Sequence, residues 1–246
     1  MTSPKPLPYQ RTLNPTPNPE RLPMPKAMAI AIGIHCRDGI VIAADSQISV
    51  PGYYKFHESK IHHTSGDGWA LLFGYSGAPG LYLEAREAIM IRFSNSIHTP
   101  KALFECCRQS LLDEMALRYT PDLELDMLIG VSCSGFDTRL LAFSGSEKSL
   151  HWEHGIRCIG VGDSSLTRYL SEALYDPVMT VDDASKIAVY IVAKAKSYID
   201  HCGGDTILYA LHGRDGLFHI RDEQVKIMES EMLAREKDCL RAIAGL

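Results

Sequence analysis

An acidic residue closes an apolar run at Ile40-Val41-Ile42-Ala43-Ala44-Asp45. A carboxylate leaving the end of a strand buried on both faces must be met by a cation or by strong donors, because an isolated buried charge is too costly. Asp45 is therefore the first candidate for chemistry, as one half of a buried acid–cation pair. Other reactive residue types lack a pattern. His62-His63 and His151-x-x-His154 have no Cys or carboxylate set at zinc spacing, so no metal site is expected. The 7 cysteines contain no CxxC pair and no regular spacing, and read as reduced, buried thiols of a cytosolic protein. No cofactor motif is found.

The elements that must position Asp45 are legible around it. Ala29-Ile30-Ala31-Ile32-Gly33-Ile34 enters as one apolar strand, and residues 40–44 leave as another. Asp38-Gly39 between them reads as the hairpin turn, with Gly free to take positive φ. Neither strand alternates polar with apolar, so both are expected in the middle of a sandwich. Further strands are expected at 54–63, 69–75, 126–133, 138–144 and 156–161. Helices are expected at 78–93 and from Thr99-Pro100, where Leu103, Cys107, Leu111 and Met115 form a stripe. A second helical pair begins at Asp163-Ser164 and at Thr180-Val181-Asp182-Asp183, the latter with the form of a capping box. A hairpin around Arg214-Asp215-Gly216 and a C-terminal helix over 223–243 complete the order. Strands and helices come in segregated runs, which points to an α+β four-layer αββα sandwich.

Residues 1–28 hold eight of the 13 prolines and read as a disordered or extended arm. The domain is expected over 29–222, with the helix of 223–246 packed on it. The net charge of −5 with no Lys/Arg cluster argues against nucleic acid and anionic membranes. No apolar run has the length of a spanning helix, and no secretory signal is present, so a cytoplasmic location is expected.

The motifs together resemble the proteasome family of N-terminal-nucleophile hydrolases, over about residues 29–220. The resemblance is carried by Gly33-Ile34, by Asp38-Gly39-Ile40-Val41-Ile42-Ala43-Ala44-Asp45-Ser46 and by Lys60-Ile61. Gly74-Tyr75-Ser76-Gly77, Ile159-Gly160-Val161-Gly162, Glu172-Ala173-Leu174-Tyr175 and Met179-Thr180-Val181-Asp182-Asp183-Ala184 extend it. The β-type subunit or a bacterial relative is the nearer match. This resemblance implies an αββα fold and a threonine nucleophile at the mature N-terminus, whose own amine serves as base. It also implies roles for Asp45 as the acid, Lys60 as the lysine and Gly74 as the oxyanion glycine, with Leu72 lining the main specificity pocket.

Against that pattern, the nucleophile position falls on Ala29, whose methyl group cannot attack a carbonyl, and it is preceded by Met28. Val161 stands where active members carry a serine that orients the amine. Asp200-His201-Cys202-Gly203-Gly204 has Cys for Ser and one residue fewer, and Gln47 replaces a common basic residue. The expectation is therefore a non-catalytic subunit of a ring-shaped protein-degradation assembly. It would pack with copies of itself or a catalytic paralogue, with an unfoldase ATPase as a candidate partner. Contacts are expected from the helices at 78–119 and 163–199 through Tyr82, Phe93, Phe104, Tyr169 and Tyr190. The alternatives are an active peptidase or amidase with another nucleophile, and a ligand- or peptide-binding protein on the same scaffold.

Overall fold

A computed structural model describes residues 29–50, 54–115, 125–160, 164–213 and 216–245. The proline-rich arm and Val161 lie outside the described residues. One five-stranded sheet has the order β10-β1-β2-β11-β12 and the other the order β5-β6-β7-β8-β9. In the first, β1 (Ile30–Cys36) and β2 (Gly39–Asp45) are central, joined by β10 (Ile156–Gly160), β11 (Thr206–His212) and β12 (Gly216–His219). The second is a meander of β5 (Ile61–Gly66), β6 (Trp69–Gly77), β7 (Leu125–Cys133), β8 (Arg139–Ser144) and β9 (Ser149–Glu153). A short ribbon of β3 (Gln47–Val50) and β4 (Tyr54–His57) stands apart.

Three apolar clusters separate four layers. Ala31, Ile40, Ile42, Leu72, Leu128 and Leu140 fill the space between the sheets. Alternate residues of the same strands face outward. Ile30, Ile32, Ile34, Val41 and Ala43 pack under α3 (Ser165–Leu174) and α4 (Val181–Tyr198). Leu71, Phe73 and Tyr75 pack under α1 (Pro79–Ser94) and α2 (Pro100–Cys107). The two-sided burial of β1 and β2 is the reason for their unbroken apolar sequence. α5 (Asp222–Ala244) lies outside α4 and buries only Val225.

Several local details differ from the sequence reading. The strand expected at 54–63 is two strands in different sheets, parted at Glu58-Ser59-Lys60. The hairpin turn is Arg37-Asp38, since Cys36 pairs with Gly39. Gly39 is already in β2, and its φ is not positive. Glycine is needed there for space, because a Cβ would meet the Leu211 carbonyl oxygen at 2.5 Å. After α2 the chain continues as a π-helix over Arg108–Met115. A stripe repeating strictly every four residues drifts around a helix of 3.6 residues per turn. The wider π turn keeps Leu111 and Met115 in the core. Of the aromatic residues expected at contacts, Tyr82, Phe93 and Tyr190 are buried and Phe104 packs half-buried against the core, whereas Tyr169 is exposed. The capping box at Thr180 forms, and the start of α3 holds a second one that the sequence reading does not name. Thr180 pairs with Asp183, and Ser164 pairs with Thr167.

Candidate active site

Asp45 ends β2, and its side chain is wholly buried. Its Oδ1 accepts from the Ile30 backbone N–H at 3.0 Å and from Lys60 Nζ at 2.5 Å. Its Oδ2 accepts from the Gly203 N–H at 2.9 Å. One carboxylate thus ties the first residue of β1, the start of β5 and the loop before β11. Lys60 is also fully buried, although it stands at the split between β4 and β5. That split turns the chain so that the lysine reaches inward. Its ammonium has three donors. Asp45 takes one and the Gln47 carbonyl takes a second. Burial pulls the Lys60 pKa below the ordinary lysine value, and the Asp45 charge opposes that shift. An amine so placed is a charged donor that can yield a proton more readily than one in water.

Ala29 immediately precedes β1 and is 3 % exposed. It lies beside the pair, because its neighbour Ile30 donates to Asp45. On its other flank β10 ends at Gly160, which pairs with Ile30 and has φ +80°. A side chain at Gly160 would collide with Ser76 Oγ and the Ala29 carbonyl. Gly74 on β6 pairs with Ile61, the residue after Lys60. A Cβ on Gly74 would meet Ile42 Cγ2 at 2.8 Å, so only glycine allows β6 to pass this close to β2. Asp45, Lys60, Gly74 and Ala29 therefore gather around the start of β1. Leu72 does not line a cleft; it is fully buried between the sheets.

Two neighbours escaped the sequence reading in part. Gly203 supplies an N–H to Asp45, although the segment around it was read only as a divergent acid–serine pair. Cys202 is buried beside the pair. Its thiol is pushed up to about 12 by burial and by Asp45, against the pull of Lys60. The only sequence signal was the Gly203-Gly204 dipeptide, since contacts 158 residues apart leave no local pattern. Among the described residues, no group of His, Cys, Asp and Glu could hold a metal ion.

The sequence model of the family described as proteasome subunit matches residues 28–210. The chain belongs to the proteasome subunit family. No curated protein matches it in sequence. Solved structures share the fold. Anbu from Hyphomicrobium sp. strain MC1, in a mutant form, superposes with a TM-score of 0.73 at 12% identity, covering 89% of this chain and 97% of that one. Anbu, an ancestral beta-subunit, from Yersinia bercovieri gives 0.73 at 11% identity, covering 88% and 97%. The helical assembly of the Anbu complex from Pseudomonas aeruginosa gives 0.67 at 13%, covering 87% and 96%. At these identities the likeness concerns the αββα fold. No helix among the described residues is long and apolar enough to cross a membrane.

Proposed function

We propose that this chain is a self-assembling, proteasome-like subunit whose own site lacks the nucleophile. In this reading Asp45, Lys60 and Gly74 keep the family roles of acid, lysine and oxyanion glycine around an empty chemical position. One observation carries the reading. The buried Asp45–Lys60 pair holds the Ile30 N–H, and the residue directly before Ile30 is Ala29, which has no hydroxyl. A threonine mechanism needs hydroxyl and α-amine on one residue. The assembly part draws on family membership and on the Pseudomonas aeruginosa relative, whose structure is a helical assembly. A catalytic paralogue in the same cytoplasmic assembly would carry the working nucleophile in its own site, and an unfoldase ATPase would feed it.

The test compares three proteins on a broad fluorogenic peptide panel: the full chain, a chain beginning at Ala29, and Ala29→Thr preceded by glycine. The expected result is turnover only in the Ala29→Thr protein, lost again on Lys60→Ala. Turnover by the unaltered chain that depends on Lys60 would overturn the reading. One observation favours that second outcome. Ser46 Oγ lies 3.2 Å from His57 Nδ1, one residue after Asp45. The same oxygen accepts the Asp205 N–H at 2.9 Å and is buried, which suits a structural tie. Ser46→Ala would abolish any activity that arises from this pair and leave a structural tie catalytically silent.

A further inference from the structure

α5 is 23 residues long, and its apolar face changes character along its length. At 100° per residue, Val225, Glu236, Leu240 and Ile243 fall on one side. Val225 is buried, whereas Leu240 is 59% and Ile243 83% exposed. Tyr198, at the end of α4, is 69% exposed beside them. Between Tyr198 and the last turns of α5 runs a groove of about 400 Å³, rimmed by Lys237 and Arg241. Glu236 is already held by Lys194 at 2.8 Å, and Lys194 lies 4.7 Å above the Tyr198 ring. Lys237 and Arg241 have no ion-pair partner among the described residues.

α1 presents the opposite pattern on the other side of the molecule. Leu83 and Ile91 are 52% and 58% exposed, eight residues apart, with exposed Glu87 midway between them. The spacing places all three on one stripe. Glu87 also lacks an ion-pair partner among the described residues. Ile97, just beyond the helix, is 83% exposed. Each surface has two large aliphatic side chains, and the free charges are of opposite sign.

We infer that the distal face of α5 docks on α1 of a second copy of this chain. Leu240 and Ile243 meet Leu83 and Ile91, and Lys237 and Arg241 flank Glu87. The inference rests on the assembly reading above and gives it a specific contact. α1 and α5 belong to opposite outer layers, so the contact is not self-complementary. Such head-to-tail contacts propagate as an open helix or close as a ring, and never stop at a two-fold dimer. The apolar pairs supply adhesion, and the rim charges fix partner and register.

Cys239, beside Ile243, provides the probe, because the other described cysteines are buried. In a Ser94→Cys variant, which keeps Glu87 and stands exposed on the same stripe of α1, a short bis-maleimide should join Cys239 of one copy to position 94 of the next. The expected result is a denaturing-gel ladder of three chains and more, absent from the unaltered protein. Dimers alone, formed by the unaltered protein through Cys239, would overturn the inference in favour of α5 pairing with α5. Charge reversal gives an independent readout. Glu87→Lys, or Lys237→Glu with Arg241→Glu, should reduce the light-scattering mass to one chain at micromolar concentration with the circular dichroism unchanged. The combined variant should restore the assembly. An unaltered protein of 27.3 kDa in solution would overturn the assembly reading itself. A stable oligomer that ignores every charge reversal and yields no ladder would overturn this docking alone.

Discussion

The strand β2 has a carboxylate at each end, and their surroundings differ sharply. Asp38, in the turn before it, accepts the Val181 N–H at 2.9 Å and so fastens the start of α4. Its side chain is 32% exposed, and the nearest cation candidate is His212 at 3.7 Å. Asp45 accepts the Gly203 N–H at the same 2.9 Å, but it is wholly buried and holds Lys60 at 2.5 Å. Solvent reaches the first carboxylate, and its hydrogen bond ties the turn to the start of α4. The second carboxylate is met instead by the buried Lys60 ammonium and by two backbone N–H donors, from Ile30 and Gly203. That pairing turns a strand end into a centre able to hold a proton donor beside Ala29.

The largest break in the comparison should come from removing one member of the buried pair. Asp45→Ala or Lys60→Ala is expected to lose about 3–5 kcal/mol in urea unfolding, because each leaves an uncompensated buried charge. The double variant Asp45→Leu with Lys60→Met should lose clearly less than the sum. Asp38→Ala should lose only about 1 kcal/mol, the net worth of an ordinary hydrogen bond. Equal losses at the two ends would mean that burial does not distinguish them.

The pH dependence should differ next. Lys60 is held below the ordinary lysine pKa, so the unfolded chain binds more protons between the folded value and 10.5. Stability should therefore rise with pH across that alkaline window, in isothermal urea titrations. Lys60→Met should remove this rise. Asp45→Asn should lower the Lys60 pKa further, as followed by NMR of the lysine side chain. Asp38→Asn should leave it unchanged.

The smallest effect concerns one thiol near each end. Cys36 is pushed up to about 12 by burial and by Asp38, and Cys202 up to about 12 by burial and by Asp45. Both should be inert to a disulfide reagent at pH 8, while exposed Cys239 reacts at once. Lys60→Met removes the charge that pulls the Cys202 thiol down, so Cys202 should become slower still and Cys36 should not change. Rates followed by mass spectrometry of labelled peptides would separate the two.

The sequence made the central hairpin legible because burial on both faces leaves an unbroken apolar record in β1 and β2. The capping box at Thr180 was legible because its chemistry is local. Asp45 announced that it needed a cation, but only family resemblance pointed to Lys60. The lysine stands in a stretch that reads as one strand and is in fact the bend between two sheets. The short edge strand β9 escaped notice because every residue of Ser-Leu-His-Trp-Glu is half-exposed, so no face is marked. Tyr82 and Phe93 are core residues, against the expectation of surface contacts, because with Ala85 and Ile89 they form the buried face of α1, which the sequence reading does not identify.

The two sheets also differ in where along the chain their strands arise. β5 to β9 come from one continuous stretch, Ile61 to Glu153, with every neighbour in space a neighbour in sequence. The other sheet joins β1 and β2 to strands that begin at Ile156, and Asp45 waits 158 residues for Gly203. During synthesis at about 5–20 residues per second, that wait lasts roughly 8–30 s. For that time the first hairpin has apolar faces, bare edges and an acid without its full set of partners, while the later meander can close by local contacts. The centre is thus completed late, only after Gly203 has been made. A chain cut short anywhere between Lys60 and Gly203 would hold both Asp45 and Lys60 and still lack the loop that locks them together.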